Sequence, residues 1–103
     1  MRLTKDQSRK RYAEMRDLWH KWDPIGVYSI SDDWPRDEYD AYLGPTLRRL
    51  ESGESVQAIE EYLAFVELEY MGLSENDIVK ARRRLFALEL QEWYETHWAG
   101  THV

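Results

Sequence analysis

The side chains best equipped for chemistry lie in two short stretches, Trp22-Asp23-Pro24-Ile25-Gly26 and Asp37-Glu38-Tyr39-Asp40. An indole and a phenol beside several carboxylates can do either of two things. They can fix a turn, with Asp23 accepting hydrogen bonds in the turn it starts and the Tyr39 hydroxyl bonding the loop. Or they can rim a pocket for a small polar ligand, in which Trp22, Asp23, Tyr39 and Asp40 make the contacts. The structural reading is favoured.

Other chemistries find less support. Asp32, Asp33, Asp37, Glu38 and Asp40 are the ligand type that holds magnesium or calcium, but their spacing matches no twelve-residue calcium loop. Acidic residues around a helix start are expected from the helix dipole alone. His20 stands three residues before Asp23, while His97 and His102 are at the far end, and no HExxH pattern exists. With no cysteine, disulfides and thiolate metal sites are excluded. There is no GxSxG and no glycine-rich phosphate loop, and the glycines read as turn or cap residues. No catalytic residue, metal or cofactor is assigned.

Charge divides the chain more sharply than its net value of −6 suggests. Residues 1–22 carry an excess of four positive charges, whereas residues 23–73 carry an excess of nine negative ones. A polyanion is repelled by that half and a basic partner attracted. Glu60, Glu61, Glu67 and Glu69 have no basic neighbour in their own segment and form a candidate acidic docking face. The triplets Arg9-Lys10-Arg11 and Arg82-Arg83-Arg84 each spread round most of a helical turn, so neither presents the continuous stripe that nucleic acid prefers.

The elements that must position these groups are helices. Thr4 and Gln7 have the spacing of a capping box, and Tyr12, Met15, Leu18, Trp19 and Trp22 form one apolar stripe behind them. Pro24 ends that helix. A long irregular loop follows, with a short extended piece conceivable at Val27-Tyr28-Ser29-Ile30. Pro35 and its acidic neighbours open a second helix with Tyr39, Tyr42, Leu43, Leu47 and Leu50 inward, kinked at Gly44-Pro45. Ser55 caps a third, with Val56, Ile59, Leu63, Val66 and Tyr70 facing one way and Tyr62 and Phe65 beside them; Gly72 stops it. The fourth starts at Ser74 and runs to about His97, its face set by Ile78, Ala81, Leu85 and Leu88. At about 24 residues it would span roughly 36 Å, so its last turns overhang. Trp93, Tyr94 and Trp98 would then need helix one, the loop or a second copy to cover them, which makes them candidates for homodimer formation.

The expectation is an all-α fold: a compact array of four amphipathic helices in a single domain over residues 1–103, with residues 1–3 and 99–103 frayed. No apolar run is long enough for a membrane span and no signal peptide opens the chain, so a cytoplasmic protein with no membrane contact is expected.

Through Trp22-Asp23-Pro24-Ile25-Gly26, Asp37-Glu38-Tyr39-Asp40, Tyr62-Leu63 and Met71-Gly72-Leu73, the chain resembles the YugE-like family of small helical bacterial proteins. The resemblance covers about residues 12–73. It implies an all-helical fold with a WDP turn and implies no activity, cofactor or ligand. From the nine excess negative charges of residues 23–73 beside a high aromatic content, the functional expectation is a non-catalytic protein-interaction module. Its partner would be a basic protein, masked as immunity proteins and antitoxins mask theirs; the alternative is a ligand pocket or enzyme at Trp22, Asp23, Tyr39 and Asp40.

Overall fold

The computed structural model describes residues 2–26 and 35–101. Four α-helices follow one another there: α1 (Lys5–Trp22), α2 (Asp40–Glu51), α3 (Val56–Phe65) and α4 (Asp77–His97). The protein is all-helical. The stretch 27–30, the carboxylates Asp32 and Asp33, and His102 lie outside the described residues.

Local chemistry explains where each helix begins and ends. The Gln7 N–H donates to Thr4 Oγ1 at 3.1 Å and the Thr4 N–H to Gln7 Oε1 at 3.0 Å, a complete capping box. α1 closes on Asp23, which takes the left-handed conformation at φ 47° and donates its N–H to the Trp19 carbonyl. Asp and Asn tolerate that region better than other non-glycine residues. Arg82 then donates to the Trp22 carbonyl, one of the groups a helix C-terminus leaves unmet.

α2 starts later than Pro35 suggests. Residues 36–39 form a turn, in which the Asp40 N–H donates to the Asp37 carbonyl at 3.1 Å. Tyr39 holds φ −102° and ψ 6°, outside the helical range, because its ring is drawn into the core. Asp37 and Glu38 therefore precede the helix. α2 itself runs as one element through Pro45 to Glu51.

α3 begins at the expected cap, with the Ala58 N–H donating to Ser55 Oγ at 3.1 Å. Its last turn widens into a π-helical segment, Val66–Tyr70, where the Met71 N–H reaches back five residues to the Val66 carbonyl. The wider turn rotates the residues at its end out of phase with the helix before it. Tyr70, expected inward, is 68% exposed and meets Phe65 edge-on at 5.2 Å. Gly72, at φ 66°, ends the segment while the Leu73 N–H caps the Glu67 carbonyl.

α4 starts at Asp77 rather than Ser74, because Asn76 Oδ1 accepts the Val79 N–H at 2.9 Å. Its buried face is not the expected one. Arg83, Phe86, Ala87, Leu90 and Tyr94 are buried, whereas Ile78, Leu85 and Leu88 are exposed. Both rows are apolar at helical spacing. The helix turns toward the row with the large rings, which remove more apolar area from water.

The helices pack with α4 along α3, and with α1 against both α2 and α4. Trp19, fully buried, is the centre of the core. Its ring contacts Trp22 edge-on at 5.2 Å, Phe86 edge-on at 5.5 Å and Tyr42 in a stack at 5.5 Å. Trp22 in turn stacks on Phe86 at 4.4 Å. The far end of α4 is fastened to α1 by one carboxylate: Glu14 Oε1 accepts both the Trp93 and the Trp98 indole N–H at 3.0 Å. Tyr94 and Trp98 are buried in the chain's own core. Of the covers expected for Trp93, Tyr94 and Trp98, which were helix one, the loop or a second copy, the described structure supplies helix one. The described chain ends are also tied down, with Leu3 packed on the core and the Thr101 N–H bonded to the Trp98 carbonyl.

Candidate functional site

The two motifs singled out from the sequence do meet. The Tyr39 hydroxyl donates to Asp23 Oδ1 at 2.6 Å and accepts the Ile25 N–H at 3.1 Å. Tyr39 has no exposure, and Trp22 and Asp23 are each 6% exposed. Burial, and then the hydrogen bond to the Asp23 carboxylate, push the Tyr39 phenol well above its ordinary pKa. A phenol so placed stays protonated and donates. This constellation locks the end of α1 to the start of α2.

The flanking carboxylates are used locally too. Asp40 holds Arg16 in a two-point ion pair, Nε to Oδ1 at 2.9 Å and Nη2 to Oδ2 at 2.6 Å. Asp37 is exposed, and Glu38 is half-buried beside the Tyr39 and Tyr42 phenols. His20 contacts the Arg36 carbonyl through Nε2 at 2.7 Å and the Arg36 guanidinium through Nδ1 at 3.0 Å. Among the described residues no three His, Asp or Glu side chains come together as a metal site.

The expected acidic docking face breaks up. Glu67 points inward at 2% exposure and accepts Arg83 Nε at 2.8 Å. Arg83, itself 4% exposed, also grips Glu75 through both terminal nitrogens, at 3.1 and 2.8 Å. Burial raises the Glu67 pKa against the pull of Arg83, while the Arg83 hydrogen bond lowers that of Glu75. Glu60 pairs with Arg84 at 3.1 Å. Of the four, only Glu61 and Glu69 remain on the exposed surface. The basic triplets are dismantled in the same way, since Arg11 and Arg83 are buried and Arg82 and Arg84 hold partners.

The surface feature missed by sequence reading is the outer face of α4. Ile78, Leu85 and Leu88 are 73%, 66% and 43% exposed, and Ala81 lies between them. Their spacing of three, four and three residues is the seam of a helix made to pack on another helix. The same row continues at Glu92 and Glu95, both exposed. The spacing is visible in the sequence, but a stripe facing the chain's own core has the same spacing.

No family model, curated protein or solved structure matches this chain. No helix among the described residues is long and apolar enough to cross a membrane.

Proposed function

We propose that this protein is a non-catalytic interaction module that docks an amphipathic helix of another protein along the outer face of α4. The observation that supports the reading is the row Ile78, Ala81, Leu85, Leu88, uncovered over three helical turns in a chain that buries its other large stripes. Completing the burial of the three large side chains would contribute roughly 3–5 kcal/mol, from about 1.5–3 kcal/mol for each fully buried one.

Charge selects the occupant. The row passes from apolar to acidic at Glu92 and Glu95. A partner helix that is apolar over two turns and basic over the next complements it, in keeping with the acidic character of the chain. A second copy does not. Set parallel, it brings Glu92 and Glu95 against themselves; set antiparallel, it brings them toward Glu75 and Asp77. Either arrangement opposes like charges. The alternative pocket at Trp22, Asp23, Tyr39 and Asp40 is disfavoured, because Asp23 and Tyr39 are buried and bonded to each other and Trp22 is buried against Trp19 and Phe86.

The test is site-directed photocrosslinking in cells that make the protein natively. A photoreactive benzoylphenylalanine at position 85 or 88 should give one protein adduct, weakened by salt, whose crosslinked peptide is an apolar helix with a Lys/Arg end. The same group at position 57, on α3, should give none. Equal labelling from position 57, or adducts only to a second copy, would refute the proposal.

A further inference from the structure

The inward line of α1 begins with a cation. Arg11 precedes Met15, Trp19 and Trp22 at intervals of four, four and three residues, and is 2% exposed. Its Nη2 donates to Glu51 Oε1 at 3.2 Å, while Nε and Nη1 are buried and find no partner among the described residues. A guanidinium buried with N–H groups unmet is costly, more so than a neutral donor. It is placed where an acceptor can be supplied: Arg11 lines a cavity of about 420 Å³ between α1 and α2, together with Tyr12, Gly44, Leu47, Arg48 and Glu51. That volume falls within the range of small-ligand sites.

A second cation stands over the same cavity. Arg48 is exposed, and among the described residues no carboxylate lies within 4.0 Å of its guanidinium. Its Nη1 is 3.4 Å from where a Cβ on Gly44 would stand. The bare glycine lets the side chain lie along the helix surface. The opposite wall is the Tyr12 ring, whose hydroxyl is turned away to donate to the Asp40 carbonyl at 3.3 Å. Leu47 makes the remaining side apolar. Two arginines against one glutamate leave a single positive charge.

We infer that this cavity binds a small organic monocarboxylate. The carboxylate sits between Arg48 and Arg11, and its apolar body lies between the Tyr12 ring and Leu47. The single net charge suits a monoanion better than a phosphate dianion. Glu51 stays on Arg11 Nη2, and the other nitrogens, closed to solvent as the cavity stands, turn toward the ligand as it binds. The site is separate from the outer face of α4 and does not depend on it.

Benzoate, with benzamide as its uncharged isostere, is the probe. It is titrated into the ¹⁵N-labelled full-length protein while the Arg11 Nε–H resonance and the Tyr12 and Gly44 amides are followed. A saturable shift with a Kd on the order of millimolar is expected for so small a ligand. Benzamide, and benzoate with Arg48→Gln, should each bind about tenfold or more weakly, the loss of one charge-assisted hydrogen bond. Gly44→Leu, which fills the cavity from a strong helix former, should abolish the shift while circular dichroism remains helical. Shifts confined to residues outside the cavity, benzamide binding as tightly as benzoate, or full affinity in Arg48→Gln would each overturn the inference.

Discussion

Tyr39→Phe removes one oxygen from the centre of the joint between α1 and α2. In the native protein that oxygen donates to Asp23 at 2.6 Å and receives the Ile25 N–H at 3.1 Å, with no exposure of the ring. The ring itself is kept, so its packing on Trp19 at 5.8 Å survives. What is lost is a hydrogen bond to a buried carboxylate, about 1.5–3 kcal/mol, and an acceptor for a backbone N–H, about 1 kcal/mol more. A total of roughly 2–4 kcal/mol is a large part of the stability of a domain this size. In urea, with a slope of about 1–2 kcal/mol per molar, the midpoint should fall by at least about 1 M. Asp23→Asn separates charge from shape, because Asn accepts the left-handed backbone and still offers an oxygen to Tyr39. A double-mutant cycle should then show coupling of at least about 1 kcal/mol. The same pair predicts an alkaline limit. The folded-state pKa of Tyr39 lies above its unfolded value of about 10, so the contribution is fully present below that value and is lost as pH rises beyond it. Tyr39→Phe should flatten that loss. A midpoint unmoved by Tyr39→Phe, or additive effects in the cycle, would show that the joint is held by something else.

Trp22→Ala should cost about 3–5 kcal/mol, because the ring is buried and stacked on Phe86; guanidinium unfolding measures it. Arg83→Met should be strongly destabilising at neutral pH, by about 3–5 kcal/mol, since it leaves the Glu67 carboxylate buried without its cation. Glu67 already titrates above its ordinary value, so the charged form is the costly one and the penalty should shrink as pH falls toward about 5; an equal penalty at both pH values would contradict this. Leu85→Lys, on the exposed row of α4, should change the stability of the isolated protein by no more than about 0.5 kcal/mol, read from the same unfolding curves.

Helix number and type were legible because each stripe repeats at helical spacing and is punctuated by a strong cap: Thr4 with Gln7, Ser55, and Gly72. So was the meeting of Asp23 and Tyr39, since a phenol at the start of one helix and a carboxylate at the end of another are natural partners across a loop. The phase of α4 was not legible. Two apolar rows compete there, and only packing decides between them. The buried ions carried a signal that charge obscured. Glu67 stands four residues after Leu63 and eight after Ile59, on the inward line, and Arg83 sits four before Ala87 and three before Phe86. Counting them as surface charges produces an acidic face that the fold dissolves. The π-helical segment had no sequence signature, and with it went the placement of Tyr70.

The shared acceptor on α1 has a consequence for how the molecule comes apart. Two indoles five residues apart, Trp93 in the last turns of α4 and Trp98 just past its end, hang from one oxygen of Glu14. Displacement of Glu14 would unfasten both at once, so that terminus should detach in a single step rather than fray residue by residue. Amide exchange along residues 93–98 would then show one common protection value where an ordinary helix end shows a gradient.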